Sequence, residues 1–243
     1  TGRILWSPFS FNIKSGEKVA VIGANGSGKT TLINKILNDS NEITVSPAVK
    51  IAYFSQHLTI LNEKKSILEN VKDSSSQDET TIRTVLARMH FWQDDVFKRV
   101  GVLSGGEKVK VALTKLFLSD VNVLVLDEPT NFLDINSLEA LEALMKSYKG
   151  TIIFVSHDRT LLKNVASQIL SIEDRQVIVF DGTFTEFENR NTATKRNLKK
   201  EKLMLLDNKI ADVLARLSIE PSEELDAEFQ DLLKEKKQLE YDD

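Results

Sequence analysis

Short apolar runs alternate along the chain with segments whose apolar residues recur every three or four positions. Glu17–Ile22, Ala48–Phe54, Val121–Leu126 and Thr151–Val155 have the length and β-branched content of buried strands. Thr30–Leu37 carries Leu32, Ile33, Ile36 and Leu37 as one helical stripe. Gln168–Ile172 and Val177–Asp181, joined by Glu173–Gln176, predict an antiparallel pair closing the core. Strands separated by helical segments predict an α/β layer architecture.

Two stretches break the alternation. Asp73–Thr80 is polar, the pattern of a surface linker, and leads into an amphipathic segment over Thr81–Phe97 that predicts a small inserted helical subdomain. From Lys195 onward the chain turns charged and helical. Leu203, Leu206, Ile210, Val213 and Leu217 form a seam, Pro221 interrupts it, and Leu225, Phe229, Leu232 and Leu239 predict a returning helix. Each motif occurs once, with no internal repeat.

Composition narrows the class. The 243 residues suit one large domain or a domain with an appendage. Without cysteine there is no disulfide framework, thiol nucleophile or cysteine-ligated metal, and a reducing compartment fits. Apolar runs are far shorter than a membrane span, so no membrane segment is expected. The net charge of −4 supplies no general field toward nucleic acid. The first residues, Thr1-Gly2-Arg3, lack both a Met and a signal-peptide pattern, as expected of a piece of a longer chain.

Gly23-Ala24-Asn25-Gly26-Ser27-Gly28-Lys29-Thr30 matches G-x-x-x-x-G-K-[ST], which arises by chance in roughly one chain in a hundred of this length. It also lies between a predicted strand and a predicted helix. Glycines let the backbone wrap a phosphate, and the helix start adds about half a positive charge. Lys29 would reach the β- and γ-phosphates, and Thr30 would ligate Mg²⁺, with Thr31 beside it. Val123–Glu128 is a buried strand that delivers Asp127, suited to a metal shell, and Glu128, suited to polarising a water. Leu103-Ser104-Gly105-Gly106-Glu107 opens another helix. It reads either as a second anion site or as an N-cap with a tight turn.

With Gln56 in Tyr53-Phe54-Ser55-Gln56, Leu126–Asp134, and His157 in Ser156-His157-Asp158, these motifs resemble, in order, the ATP-binding cassette family over about residues 3–190. The resemblance implies a P-loop NTPase cassette of α/β class. Its core would span 1–190, with an inserted helical subdomain over about 80–118 and a C-terminal α-helical hairpin over 191–243. It implies ATP and Mg²⁺ as cofactors. Gly23 to Thr31, with Lys29, would hold ATP, and Thr30, Gln56 and Asp127 would hold the metal. Glu128, His157, Gln56 and Lys29 would be catalytic, with Glu128 polarising the attacking water, Gln56 sensing Mg²⁺ and water and His157 the switch histidine, and Ser104, Gly105 and Gly106 would grip a nucleotide held by a partner domain.

Finer wording resembles the ABC-F branch: Leu103–Lys108 followed by Val109–Lys115, Asp127–Asp134, Val155–Arg159 and Asp181–Phe184. That branch consists of soluble tandem ATPases that act on ribosomes and includes antibiotic-resistance proteins. Phe132, where His is usual, resembles the resistance-type members. The resemblance implies a cytoplasmic protein with no membrane partner. A second nucleotide-binding domain is implied too, either a sister in the same chain or a second copy of an isolated domain. Contact with ribosome and rRNA would come through parts outside this chain. The trailing helices fit the C-terminal half of a tandem, and the adenine-stacking aromatic is expected upstream of Gly2. Trp6, Phe9 and Phe11 are expected in the core of the first strands.

His57 and His90 have no motif context, and no His/Asp/Glu set has metal-ligand spacing. Lys195, Arg196, Lys199, Lys200 and Lys202 fit either RNA phosphates or a solvated helix face. Two other readings stay open: the motor domain of an ABC transporter, and a scaffold in which ATP only joins domains.

Overall fold

The computed structural model describes residues 5–38, 43–55, 58–219 and 222–241, with the side chains of 195–198, 219, 223, 240 and 241 set aside. Gln56 and His57 therefore lie outside the described residues, as do the side chains of Lys195 and Arg196. Two compact units result, Thr1–Thr185 and Glu186–Asp243.

The first unit is built on a six-stranded sheet: β1 (Lys18–Gly23), β2 (Ile51–Phe54), β3 (Val123–Asp127), β4 (Thr151–Val155), β5 (Gln168–Glu173) and β6 (Gln176–Asp181), in the order β2-β3-β4-β1-β5-β6. All neighbours are parallel except β5 and β6, which form the expected antiparallel pair. Parallel strands need both faces covered, which is why these runs are almost wholly apolar. On one face Val19, Val21, Val125, Ile153, Val155 and Leu170 pack with Leu32, Ile33 and Ile36 of α1 (Lys29–Leu37). The alternate residues Ala20, Leu124, Leu126, Ile152, Phe154 and Ile169 are fully buried on the other.

Between β2 and β3 the chain forms α2 (Ile67–Lys72), α3 (Glu79–Arg88) and α4 (Gly105–Phe117). The helix expected over Thr81–Phe97 ends at Arg88. His90 and Gln93 then take left-handed backbone, and a 3-10 turn follows over Gln93–Phe97. The segment after residue 58 is anchored by Asn70, which is fully buried. Its side-chain amide donates to Asn62 O at 2.9 Å and Ser66 O at 2.9 Å, and its oxygen accepts from Asn62 N at 2.8 Å. Two further helices, α5 (Ile135–Ser147) and α6 (Arg159–Val165), flank the sheet. Residues 5–14 form no strand, contrary to expectation, yet Trp6, Phe9 and Phe11 still pack against the core. They are partly buried without joining the sheet.

The second unit is a pair of helices. α7 (Phe184–Ile219) begins well before the charged stretch that marks it in the sequence, and α8 (Glu223–Tyr241) returns. Leu206 and Val213 are buried, Met204, Leu205 and Leu214 are exposed, and Lys236 pairs with Asp207 at 2.6 Å.

Candidate nucleotide-binding site

The carboxyl end of β1, central in the sheet, leads straight into the glycine-rich loop. Gly26 and Gly28 have φ of 76° and 106°, backbone that only glycine adopts without strain. Gly28 also lies under an aromatic ring: a Cβ there would stand 2.1 Å from Trp6. Gly23 at φ 150° leaves no room either, since its Cβ would meet Ile172 O at 2.7 Å. The loop is thus built to its own backbone path. Lys29 is 9% exposed and its ammonium donates to Gly23 O at 2.9 Å and Ala24 O at 3.1 Å. It is folded back on the loop, poised at the helix start.

Strand β3 brings Asp127 to the same edge. The next residue, Glu128, sits at φ 51° and its N–H donates to Val155 O at 3.1 Å, which turns the chain sharply as the strand ends. Burial raises the pKa of both carboxyls. For Asp127 the Tyr53 hydrogen bond and then Lys29 act against that rise, and for Glu128 His157 and then Lys29 do. His157 Nε2 lies 3.3 Å from Glu128 Oε1, with the imidazole 56% exposed. Asp158, next to it, caps α6 by accepting from Thr160 N at 2.8 Å and Leu161 N at 3.0 Å. That cap fixes where β4 stops and where the histidine emerges.

A cavity of about 610 Å³ joins these groups, lined by Gly26, Gly28, Lys29, Thr30, Thr31, Asp127 and Glu128 together with Leu5, Asn25, Tyr53, Ser55 and Val155. Leu5, Tyr53, Ser55 and Val155 are lining residues that sequence reasoning missed. For Tyr53 a signal existed, because it faces opposite to buried Phe54. Ala24, Asn25, Gly26 and Ser27 line a second hollow of about 400 Å³ on the other side of the loop, with the β5–β6 turn.

Among the described residues the Ser27 hydroxyl is buried without a partner, and the lysine ammonium donates to loop carbonyls. Both fit an anionic ligand that adds acceptors. Among the described residues no cluster of three His, Asp or Glu could hold a metal alone. One half-buried carboxylate beside a threonine hydroxyl fits Mg²⁺, which is held through a few protein ligands, waters and substrate phosphates.

Ser104, Gly105 and Gly106 do not line this cavity. Ser104 caps α4 in a capping box: its hydroxyl accepts from Glu107 N at 3.3 Å and donates to the Glu107 carboxylate at 2.8 Å. Ser104 and Gly105 are exposed, at a helix start with unpaired N–H groups. Nearby, Asp134 caps α5, and Phe132 and Ile135 are 76% and 75% exposed. A glycine loop, a strand-end Asp-Glu pair against a histidine, and a glycine-led helix start outside that cavity now stand on one scaffold.

Residues 6–131, more than half of the chain, match the family described as ABC transporter. The chain belongs to the ATP-binding cassette family. It is an ATPase domain of that family, whose members hydrolyse ATP. Its relatives are ABC-F proteins, as the motifs imply. It is 33% identical over 99% of its length to Ribosome protection protein VmlR of Bacillus subtilis (strain 168), covering 44% of that protein. It is 38% identical over 79% of its length to Energy-dependent translational throttle protein EttA of Escherichia coli (strain K12), covering 36%. The cassette thus spans well under half the length of these curated relatives. The ATP binding subunit of an ABC transporter has the same fold, with TM-score 0.62 at 22% identity over 77% of this chain and 87% of that one. No described helix is long and apolar enough to cross a membrane.

Proposed function

We propose that this cassette is one nucleotide-binding half of a cytoplasmic tandem ABC-F protein that binds ATP with Mg²⁺, hydrolyses it and acts on the ribosome, with protection against antibiotics as the outcome. The observation that carries the reading is the match to a ribosome protection protein over 99% of the chain, α7 and α8 included. EttA, a translational throttle protein by name, supports the ribosome as the target.

In this reading Gly23 to Thr31 cradle the phosphates, with N–H groups of the loop and the start of α1 directed at them. Lys29 releases its loop carbonyls and takes phosphate oxygens. Thr30, Asp127 and Gln56 would hold Mg²⁺, which supplies charge neutralisation at the β- and γ-phosphates. Glu128 orients the attacking water and accepts its proton, and His157 fixes the Glu128 carboxylate at the γ-phosphate edge. Exposed Ser104 and Gly105, with half-buried Gly106, serve the nucleotide of the sister cassette, which is consistent with their absence from the lining of this chain's own cavity. The partner is then a second cassette, in the same chain or as a second copy.

The test is co-sedimentation of the full-length protein carrying Glu128→Gln, and the matching change in its sister cassette, with ribosomes. ATP-dependent pelleting is expected. No pelleting from a protein that still binds ATP would remove the ribosome from this reading and favour a transport motor instead.

A further inference from the structure

We infer that Tyr53 is a positioning residue of the Mg²⁺ site, acting through Asp127. This rests on the reading of Asp127 as a metal-shell ligand. Parallel pairing sets Tyr53 opposite Val125, and strand alternation puts Asp127, two residues further on, on the same sheet face as both. Two residues of strand rise are about 6.6 Å, the reach of a phenol. The Tyr53 hydroxyl donates to Asp127 Oδ2 at 3.4 Å, and both residues line the 610 Å³ cavity beside Thr30.

A carboxylate at a strand end can rotate about its last bond. A donor fixed on one oxygen holds the carboxylate plane and leaves Oδ1 for the metal and its waters, the service that outer-shell partners perform for ligating carboxylates generally. Phe54, the next residue, is buried on the opposite face, so β2 is held by its own core contact and the phenol starts from a rigid base. The half-buried setting makes the hydrogen bond count for more than it would in water.

Tyr53→Phe removes the hydroxyl and keeps the ring, so packing and melting temperature serve as the folding control. The experiment titrates Mg²⁺ into the chain with a fluorescent ATP analogue, starting from EDTA, and reads the half-saturating Mg²⁺ concentration rather than turnover. Loss of an outer-shell partner costs roughly 10–100-fold where protein alone holds a metal, and phosphates share the task here, so a rise of about three- to tenfold is expected. In an Asp127→Asn background, Tyr53→Phe is expected to add no further shift. An unchanged Mg²⁺ requirement in Tyr53→Phe, with Asp127→Asn still raising it, overturns the inference and leaves the site reading intact. Equal shifts from Tyr53→Phe in both backgrounds also overturn it, because the tyrosine would then act without Asp127. Analogue binding indifferent to Mg²⁺ and to Asp127→Asn overturns the site reading and the inference with it.

Discussion

The carbonyl oxygen of Phe132 lies 2.7 Å from where a Cβ on Gly106 would stand. The turn that follows Glu128 therefore rests directly on the first turn of α4. Phe132 itself holds left-handed backbone at φ 68° to make that approach. One glycine thus joins the loop after the Asp127-Glu128 pair to the helix start that the motifs assign to a partner's nucleotide.

Gly106→Ala should destabilise the chain by about 1–3 kcal/mol, because backbone has to move to admit the methyl group. Gly105→Ala meets nothing within 4 Å and lies at a helix start, so it should be neutral or stabilising by about 0.5–1 kcal/mol. Paired denaturant melts of the two variants check this. Equal losses would mean that Phe132 does not set the requirement.

Glu128→Gln keeps the shape and removes the carboxylate proposed as the base. ATP binding should persist while turnover of the partnered protein falls by about 10²–10⁴-fold. Single-turnover hydrolysis measures it, and turnover near wild type would take Glu128 out of the chemistry.

The raised carboxyls give a pH signature. Asp127 and Glu128 have ordinary values of 3.8 and 4.5, and burial moves both upward in the fold. The folded state then holds these protons more tightly than the unfolded chain does. Stability from this pair falls as pH rises from the ordinary values through the raised ones, and the cost is complete above them. Asp127→Asn should therefore raise the melting temperature near neutral pH, with the gain vanishing as pH drops below the ordinary range. His157 opposes the rise at Glu128, so in His157→Ala the acid limb of hydrolysis should move to higher pH. Melting curves and pH–rate profiles of these two variants carry the test.

Phe132, whose carbonyl meets Gly106, and Ile135, the first residue of α5, expose three quarters of their surface, and Val102 is 76% exposed two residues before Ser104. Aromatic groups displayed this way act as anchors at interfaces. Phe132→Asp should weaken ATP-dependent association with a second cassette by at least about tenfold while this chain still binds ATP. Sedimentation of Glu128→Gln with and without the second change reads it, and unchanged association would mean that the aromatic ring lies outside the interface.

Legibility in the sequence followed how local each signal is. The sheet strands were readable because parallel strands buried on both faces must be apolar throughout, so Thr151–Val155 appears without interruption. The glycine loop was readable because positive φ at Gly26 and Gly28 admits little else. Helix α2 was not: its six residues lie below a full amphipathic repeat, and its identity rests on a capping box between Ser66 and Glu69. The start of α7 at Phe184 was also hidden, since residues 183–191 lie ahead of the basic run from Lys195 that marks the helix in the sequence.

By itself the sequence determined the phosphate loop, the Asp127-Glu128 pair, the glycine-led starts of α1 and α4 and the succession of strands along the chain, because each depends on residues within a few positions of one another. The tertiary structure alone decided that Tyr53 reaches Asp127, that His157 meets Glu128, that Trp6 covers Gly28 and that Phe132 rests on Gly106. Those contacts join residues tens of positions apart, and they exist only because sheet register and loop path bring distant segments to one edge, a geometry that no local pattern encodes.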